Sequence, residues 1–320
     1  MGDEVKHASY NREHRQEYRR KVQLCLDVFE TMLAQSSFEF DRPMTGMEIE
    51  CNLVDADYQP AMTNQEVLAA IADPAYQTEL GAYNIEFNVP PRPLPGRAAL
   101  DLEAEVRASL NAAETKANTD GAHIVMVGIL PTLMPQHLTG HWMSPNMRYQ
   151  ALNDSIFTAR GEDILIDIAG PERLSVHAET IAPESACTSM QLHLQVSPSE
   201  FANNWNAAQV LAGPQLALGA NSPYFMGKEL WAETRIELFT QAADTRPVEL
   251  NPWQDGVGRG TFINTVRKIT KAIAFAKAPE VLHPEGTRVA YEDDFEREQA
   301  CLGSVDDVLS GSATAAIETQ

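Results

Sequence analysis

The sequence predicts an α+β fold built around a mainly antiparallel sheet. Several segments alternate apolar and polar residues, as strands with one buried face do. Amphipathic helices interrupt these strands without the regular strand–helix–strand order of a doubly wound fold, and no internal repeat is visible. With 320 residues and 44% hydrophobic content, the chain can build one large domain or two smaller ones.

The elements follow from local pattern. Residues from about Asn11 to Gln35 read as a helix, because Val22, Leu26, Phe29 and Leu33 recur at three- and four-residue spacing. "TGMEIECNLVD" (residues 45–55) reads as a strand with Met47, Ile49, Cys51 and Leu53 on one face and Glu48, Glu50 and Asn52 on the other. Thr63 and Glu66 form a capping box for a short helix that ends before Pro74. "YNIEFNV" is a second alternating strand. A helix over Ala98–Asn118 turns Leu102, Val106, Leu110, Ala113 and Ala117 inward and stops near Gly121.

"HIVMVGIL" is apolar on both faces and reads as a strand buried on both sides. Ser144-Pro145 opens another helix, and "EDILIDIAGPERLSV" reads as a hairpin with a Gly-Pro turn. In "SMQLHLQVS", Met190, Leu192, Leu194 and Val196 are expected to face the core, with Gln191, His193 and Gln195 facing away. Ser197, Pro198 and Glu200 then cap a helix carrying Phe201, Trp205 and Ala208, which Pro214 should kink or end.

Bulk chemistry narrows the function. Asp and Glu number 45 against 24 Lys and Arg, a formal charge of −21, which argues against a nucleic-acid backbone partner. A nucleotide bound through metal ions stays open, because the metal supplies the positive charge. Cys25, Cys51, Cys187 and Cys301 are too scattered for structural zinc or a disulfide framework, so a reducing cytoplasm is expected. The polar N-terminus lacks the apolar core of a signal peptide. The most apolar run, "AHIVMVGILPTLM", is short and broken by Pro131, so no membrane association is expected.

Three strands pose a chemical puzzle. Their polar faces hold Glu48, Glu50 and Asn52; Asn84, Glu86 and Asn88; and Gln191, His193 and Gln195, with no lysine or arginine. The bland reading is the solvated face of an antiparallel sheet. Exposed faces usually mix charge signs, however, and carboxylates with amides and an imidazole suit a hard divalent cation. No phosphate-binding glycine loop, GxSxG or HExxH is present.

The runs "TGMEIECNLVD", "TELGAYNIEFNV", "GAHIVMVGILPTL", "ACTSMQLHLQVSP" and "GANSPYFMGKELWAETRIELFTQAADTR" resemble, in order, glutamate–cysteine ligase family 2, the carboxylate–amine ligases. The resemblance covers most of the chain from about Asn11 to Arg246. It implies a glutamine-synthetase-like fold, with helices packed outside a curved antiparallel sheet whose concave face is the active site. It also implies Mg²⁺ (or Mn²⁺), ATP as substrate and activation of the glutamate γ-carboxylate. By position, Glu48, Glu50, Glu79, Glu86 and His193 resemble metal ligands, with Glu48 and Arg235 also assigned to catalysis. Gln191, Asn221, Arg235 and Arg246 resemble substrate or ATP contacts. Cys51 and Cys187 are read as core cysteines, because the incoming cysteine is substrate.

Three segments are expected: a ligase-like catalytic domain over 1–246, a divergent linker and basic amphipathic helix over 247–290, and an acidic, poorly ordered tail over 291–320. The family's later Glu-Asn-Arg run followed by proline is not found after Arg246, so the C-terminal part is read as truncated or replaced. The expected activity is ligation of glutamate to cysteine, or to another amine, within glutathione or related thiol synthesis. Slow turnover or none is expected of this chain alone. The alternative is a catalytically impaired relative that binds glutamate or nucleotide as a regulatory partner; homo-oligomerisation is left open.

Overall fold

The computed structural model describes residue 5 and residues 10–38, 42–94 and 96–246. The segments read above as 247–290 and 291–320, and Cys301 with them, lie outside the described residues. Within those residues the chain divides into two compact units. One contains Pro43–Leu194 with residues 220–246; the other contains Arg12–Arg42 and Gln195–Gly219.

The first unit is organised by one long strand, β1 (Met44–Val54). Over Met44–Asn52, with an irregularity between Thr45 and Met47, β1 pairs antiparallel with β3 (Asn84–Pro93), which pairs in turn with β2 (Tyr76–Thr78). The opposite edge of β1 is shared. Its C-terminal end, Asn52–Val54, takes β4 (His123–Val125), and its N-terminal part, Thr45–Ile49, takes β7 (Met190–Leu194). The described α+β architecture and antiparallel pairing match the expected fold class.

The side of the sheet bearing Ile49, Cys51, Leu53, Ile85 and Phe87 is nearly inaccessible and belongs to one core cluster. The helices α2 (Asn64–Ile71) and α3 (Ala98–Ala117) contribute to that cluster through Val67, Leu102, Ala113 and Ala117. A second core gathers Ile129, Leu130, Leu133 and Trp142 with the hairpin β5 (Ile164–Ala169) and β6 (Arg173–Ala178). The helix α4 (Met147–Arg160) supplies Tyr149 to this core, the short α5 (Ala182–Ser185) supplies Ala182, and the two-residue strand β8 (Tyr224–Phe225) supplies Phe225. Leu230, just beyond β9 (Lys228–Glu229), and Leu238 of α7 (Arg235–Ala242) complete it.

Several expectations are corrected. Thr63 makes no side-chain cap; instead Asn64 is buried and donates to the Gly81 and Asn84 carbonyls and to Ser144 Oγ. Tertiary bonding replaces the local box. "HIVMVGIL" is a strand only over β4, because β7 occupies the next stretch of the β1 edge. Met126 is half exposed, while Ile129 and Leu130 are buried outside any strand.

β7 forms where expected, but Met190, Leu192 and Leu194 are each more than half exposed. Among the described residues β7 pairs with β1 alone, and its apolar side chains belong to neither core cluster. An open apolar groove of about 410 Å³ borders Met190, Met126 and α3.

In the second unit, the helix α1 (Arg12–Gln35) forms as expected. Of its stripe Leu33 is buried, whereas Val22 and Leu26 are exposed. The helix α6 (Phe201–Gly219) carries Pro214 within it rather than ending there; Phe201 and Trp205 stack, with ring centroids 6.2 Å apart. Among the described residues no helix is long and apolar enough to cross a membrane.

Candidate active site

The second face of β1 is not a solvated surface. Asn52, Asn84 and Glu86 are essentially inaccessible, and Glu50 is partly buried. Strand register explains the grouping: Asn52 lies opposite Asn84, Glu50 opposite Glu86, and Glu48 between Asn88 on β3 and Gln191 on β7. Residues directly opposite in an antiparallel pair share a face, so the polar residues of three strands converge.

The two ends of this face differ in chemistry. At the β4 end, Asn84 Nδ2 donates to Asn52 Oδ1 (3.0 Å), and Asn52 Nδ2 donates to the Val127 carbonyl (3.0 Å) and Thr188 Oγ1 (3.2 Å). Asn52 is thus satisfied through both its amide atoms, whereas Asn84 Oδ1 is buried without a hydrogen-bond partner. At the other end, His193 Nε2 stands 3.6 Å from Glu48 Oε1, both partly exposed. His193 and Glu48 therefore do come together, at the open rim.

Between them lies a group of carboxylates. Ser189 N donates to Glu50 Oε2 (2.7 Å), Gln191 Nε2 to Glu50 Oε1 (3.4 Å) and Asn88 Nδ2 to Glu86 Oε1 (2.7 Å). Glu79 follows β2 and bonds the Leu80 amide through Oε2, while its Oε1 is buried without a hydrogen-bond partner. Burial, offset in part by the Ser189 bonds, pushes the Glu50 carboxyl from 4.5 up to about 7. Burial, with the charges of Glu50 and Glu86, pushes Glu79 up as well.

Glu184 on α5 belongs to the same electrostatic group. Burial and then the Glu50 charge raise it to about 7, and its Oε2 is buried without a hydrogen-bond partner. Sequence reading missed it. "IAPESAC" carries no alternation and no catalytic spacing, and only folding sets this turn beside β1.

Arg235, the first residue of α7, supplies the cation. Its Nε and Nη2 bond Glu233, its Nη1 bonds the Thr188 carbonyl, and it is close enough to Glu50 to feel that charge. Asn221 Oδ1 accepts from Gly128 N (3.2 Å). Arg246 is placed differently. Asp244 holds its guanidinium through both carboxylate oxygens, and Arg160 grips the Asp244 and Arg246 carbonyls at 2.9 Å. Among the described contacts, nothing brings Arg246 to the carboxylates.

Burial pushes the Cys51 thiol up to about 12 and the Cys187 thiol well above its ordinary value. Neither is a thiolate nucleophile at neutral pH, as their reading as core cysteines requires.

Among the described residues no three His, Cys, Asp or Glu side chains stand grouped to hold a metal ion as placed. The donor chemistry fits a hard divalent cation nonetheless. Glu50 and Glu86 oppose each other directly, and Glu79 leaves a buried oxygen without a partner. Buried carboxylates raised in this way lack a compensating positive charge.

The sheet face thus gathers buried carboxylates near an arginine held by Glu233 and the Thr188 carbonyl. The family model described as glutamate-cysteine ligase family 2 matches residues 44–271, and the chain belongs to that family. This match runs past Arg246. No curated protein matches the chain. The family points to ATP-dependent carboxylate–amine ligase chemistry.

Proposed function

We propose that this face catalyses ATP-dependent ligation of the glutamate γ-carboxylate to the amine of cysteine. The observation that carries the reading is the buried Glu50–Glu79–Glu86 group with Arg235 beside it, within the family match. The fold expected from the resemblance, a glutamine-synthetase-like curved sheet, is part of this proposal. So are the soluble cytoplasmic setting, the small-molecule partners and a role in thiol synthesis.

In the proposed reaction a γ-carboxylate oxygen of glutamate attacks the terminal phosphorus of ATP and ADP departs. The amine nitrogen then attacks the carbonyl carbon of γ-glutamyl phosphate, inorganic phosphate leaves, and the ammonium proton passes to a carboxylate or a bound water. Glu50, Glu79 and Glu86, with Glu48 and His193 at the rim, would hold Mg²⁺ or Mn²⁺. When bound, that cation neutralises phosphate charge and lowers the barrier to phosphoryl transfer. Arg235 has N–H donors beyond those used by Glu233 and Thr188, and these can receive a carboxylate or phosphate oxygen. Gln191 and Asn221 border the same face and are the polar contacts proposed for substrate.

Incubation with glutamate, cysteine and Mg-ATP should release ADP and γ-glutamylcysteine in equal amounts. ATP consumption indifferent to both amino acids would sink the assignment. One observation favours a second reading, a relative that binds without turnover. Arg246, proposed as a phosphate contact, is instead paired with Asp244 through both carboxylate oxygens. Calorimetric binding of glutamate or Mg-ATP without ADP release would select it.

A further inference from the structure

We infer that Gly128 and Glu233 are positioning residues that together hold Arg235 and Asn221 beside Glu50. The anion that Arg235 receives rests on the ligase reading above; the positioning rests on geometry alone.

Gly128 follows β4, where the chain leaves the β1 ladder. Its N–H donates to Asn221 Oδ1 and its carbonyl accepts from Thr188 N at 3.0 Å. Gly128 is not among the glycines with positive φ, so its backbone conformation is open to any residue. Space is the constraint. A Cβ there would fall 2.5 Å from Asn221 Oδ1, 2.6 Å from Arg235 Nε and 2.8 Å from Arg235 Cζ. These atoms are the ends of two flexible side chains. An added methyl is therefore accommodated by moving Arg235 and Asn221, not by breaking the backbone.

Glu233 works from the other side. It is 9% exposed, its Oε1 accepts from Ser222 Oγ (2.6 Å) and Arg235 Nε, and its Oε2 accepts from Arg235 Nη2 at 2.8 Å. Ser222 is itself fixed, donating its N–H to the Ala232 carbonyl and accepting from Thr234 N. The side-on pair with Glu233 and the Thr188 carbonyl on Nη1 fix the plane of the guanidinium. The N–H donors these bonds do not use remain for a ligand, on a guanidinium close enough to Glu50 to feel its charge. Burial works to raise Glu233, but the Arg235 and Ser222 bonds win and hold it below its ordinary value. Arg235 is raised by the same pair.

The test is a double-mutant cycle read by ligand affinity, with a side-chain signal as the second readout. Calorimetry with L-glutamate and with Mg-ATP compares the parent with Gly128→Ala, Glu233→Gln, Arg235→Ala and Gly128→Ala/Arg235→Ala. Gly128→Ala should weaken at least one ligand about tenfold, and much less once Arg235 is alanine, when only the displaced Asn221 still contributes. The Arg235 Nε–H resonance, identified by its loss in Arg235→Ala, should shift and exchange faster with water in Gly128→Ala and in Glu233→Gln. Additive losses, or an Nε–H signal indifferent to both substitutions, would overturn the inference. If the parent binds neither ligand, the ligase reading falls, and the Nε–H signal alone decides the positioning.

Discussion

The raised carboxylates make stability depend on pH in a direction opposite to ordinary acid denaturation. Glu50 and Glu184 move from 4.5 to about 7 on folding, and Glu79 moves the same way. Between those values the folded chain keeps protons that the unfolded chain has released. The stabilisation is complete below 4.5 and is lost as pH rises through the folded values.

From about pH 6 to about pH 8, Glu50 and Glu184 each remove roughly 1–2 kcal/mol, and Glu79 adds to the same sign. Glu50 and Glu184 together, at about 3 kcal/mol, lower Tm by roughly 6–12 °C for a unit of this size, and Glu79 lowers it further. Thermal unfolding in chelator should therefore give a lower midpoint at the higher pH. Mg²⁺ should raise the midpoint more at about pH 8 than at about pH 6, because it binds the ionised group and stabilises by mass action. Glu50→Gln, which removes one of these ionisations, should flatten the slope. A midpoint that is level or rises with pH in chelator, or a slope unchanged in Glu50→Gln, refutes the carboxylate-group reasoning.

Other perturbations test other parts of the structure. Glu86→Gln should weaken Mg-ATP binding in calorimetry while raising the metal-free midpoint at about pH 8, since it removes the charge opposite Glu50; a drop in both speaks for a purely structural Glu86. Gly170→Ala places a Cβ 2.6 Å from Leu230 Cα, where only backbone could yield, so the urea midpoint should fall by the equivalent of about 1–3 kcal/mol. An unchanged midpoint would show that the Gly170–Leu230 approach is looser. Asn64→Ala strips donors from two carbonyls and Ser144 and should cost about 1–3 kcal/mol in the same assay, whereas a surface asparagine would cost nothing measurable. Ile166→Ala opens the second core and should cost about 2–5 kcal/mol; a smaller loss means that the surrounding side chains collapse into the space.

The strands and helices whose pattern is local were legible from residues alone. β1, β3 and β7, the β5–β6 hairpin, α1 and α3 form within a few residues of where alternation or helical spacing places them, because those periods are properties of the backbone. The polar faces bearing Glu48, Glu50, Glu86 and His193 were legible for the same reason, and the family could be recognised from the order of the runs. What depended on distance along the chain was not. The sharing of the β1 edge between β4 and β7 cut "HIVMVGIL" short, and no core cluster takes up Met190, Leu192 and Leu194. Tertiary partners for Asn64 overrode the local cap that Thr63 and Glu66 spelled out. Glu184 joined the carboxylates, Arg246 turned to Asp244, and Gly128 came under Arg235 only through folding. Periodicity tells which face a side chain takes, but neighbours brought from far along the chain decide whether that face is covered, paired or charged.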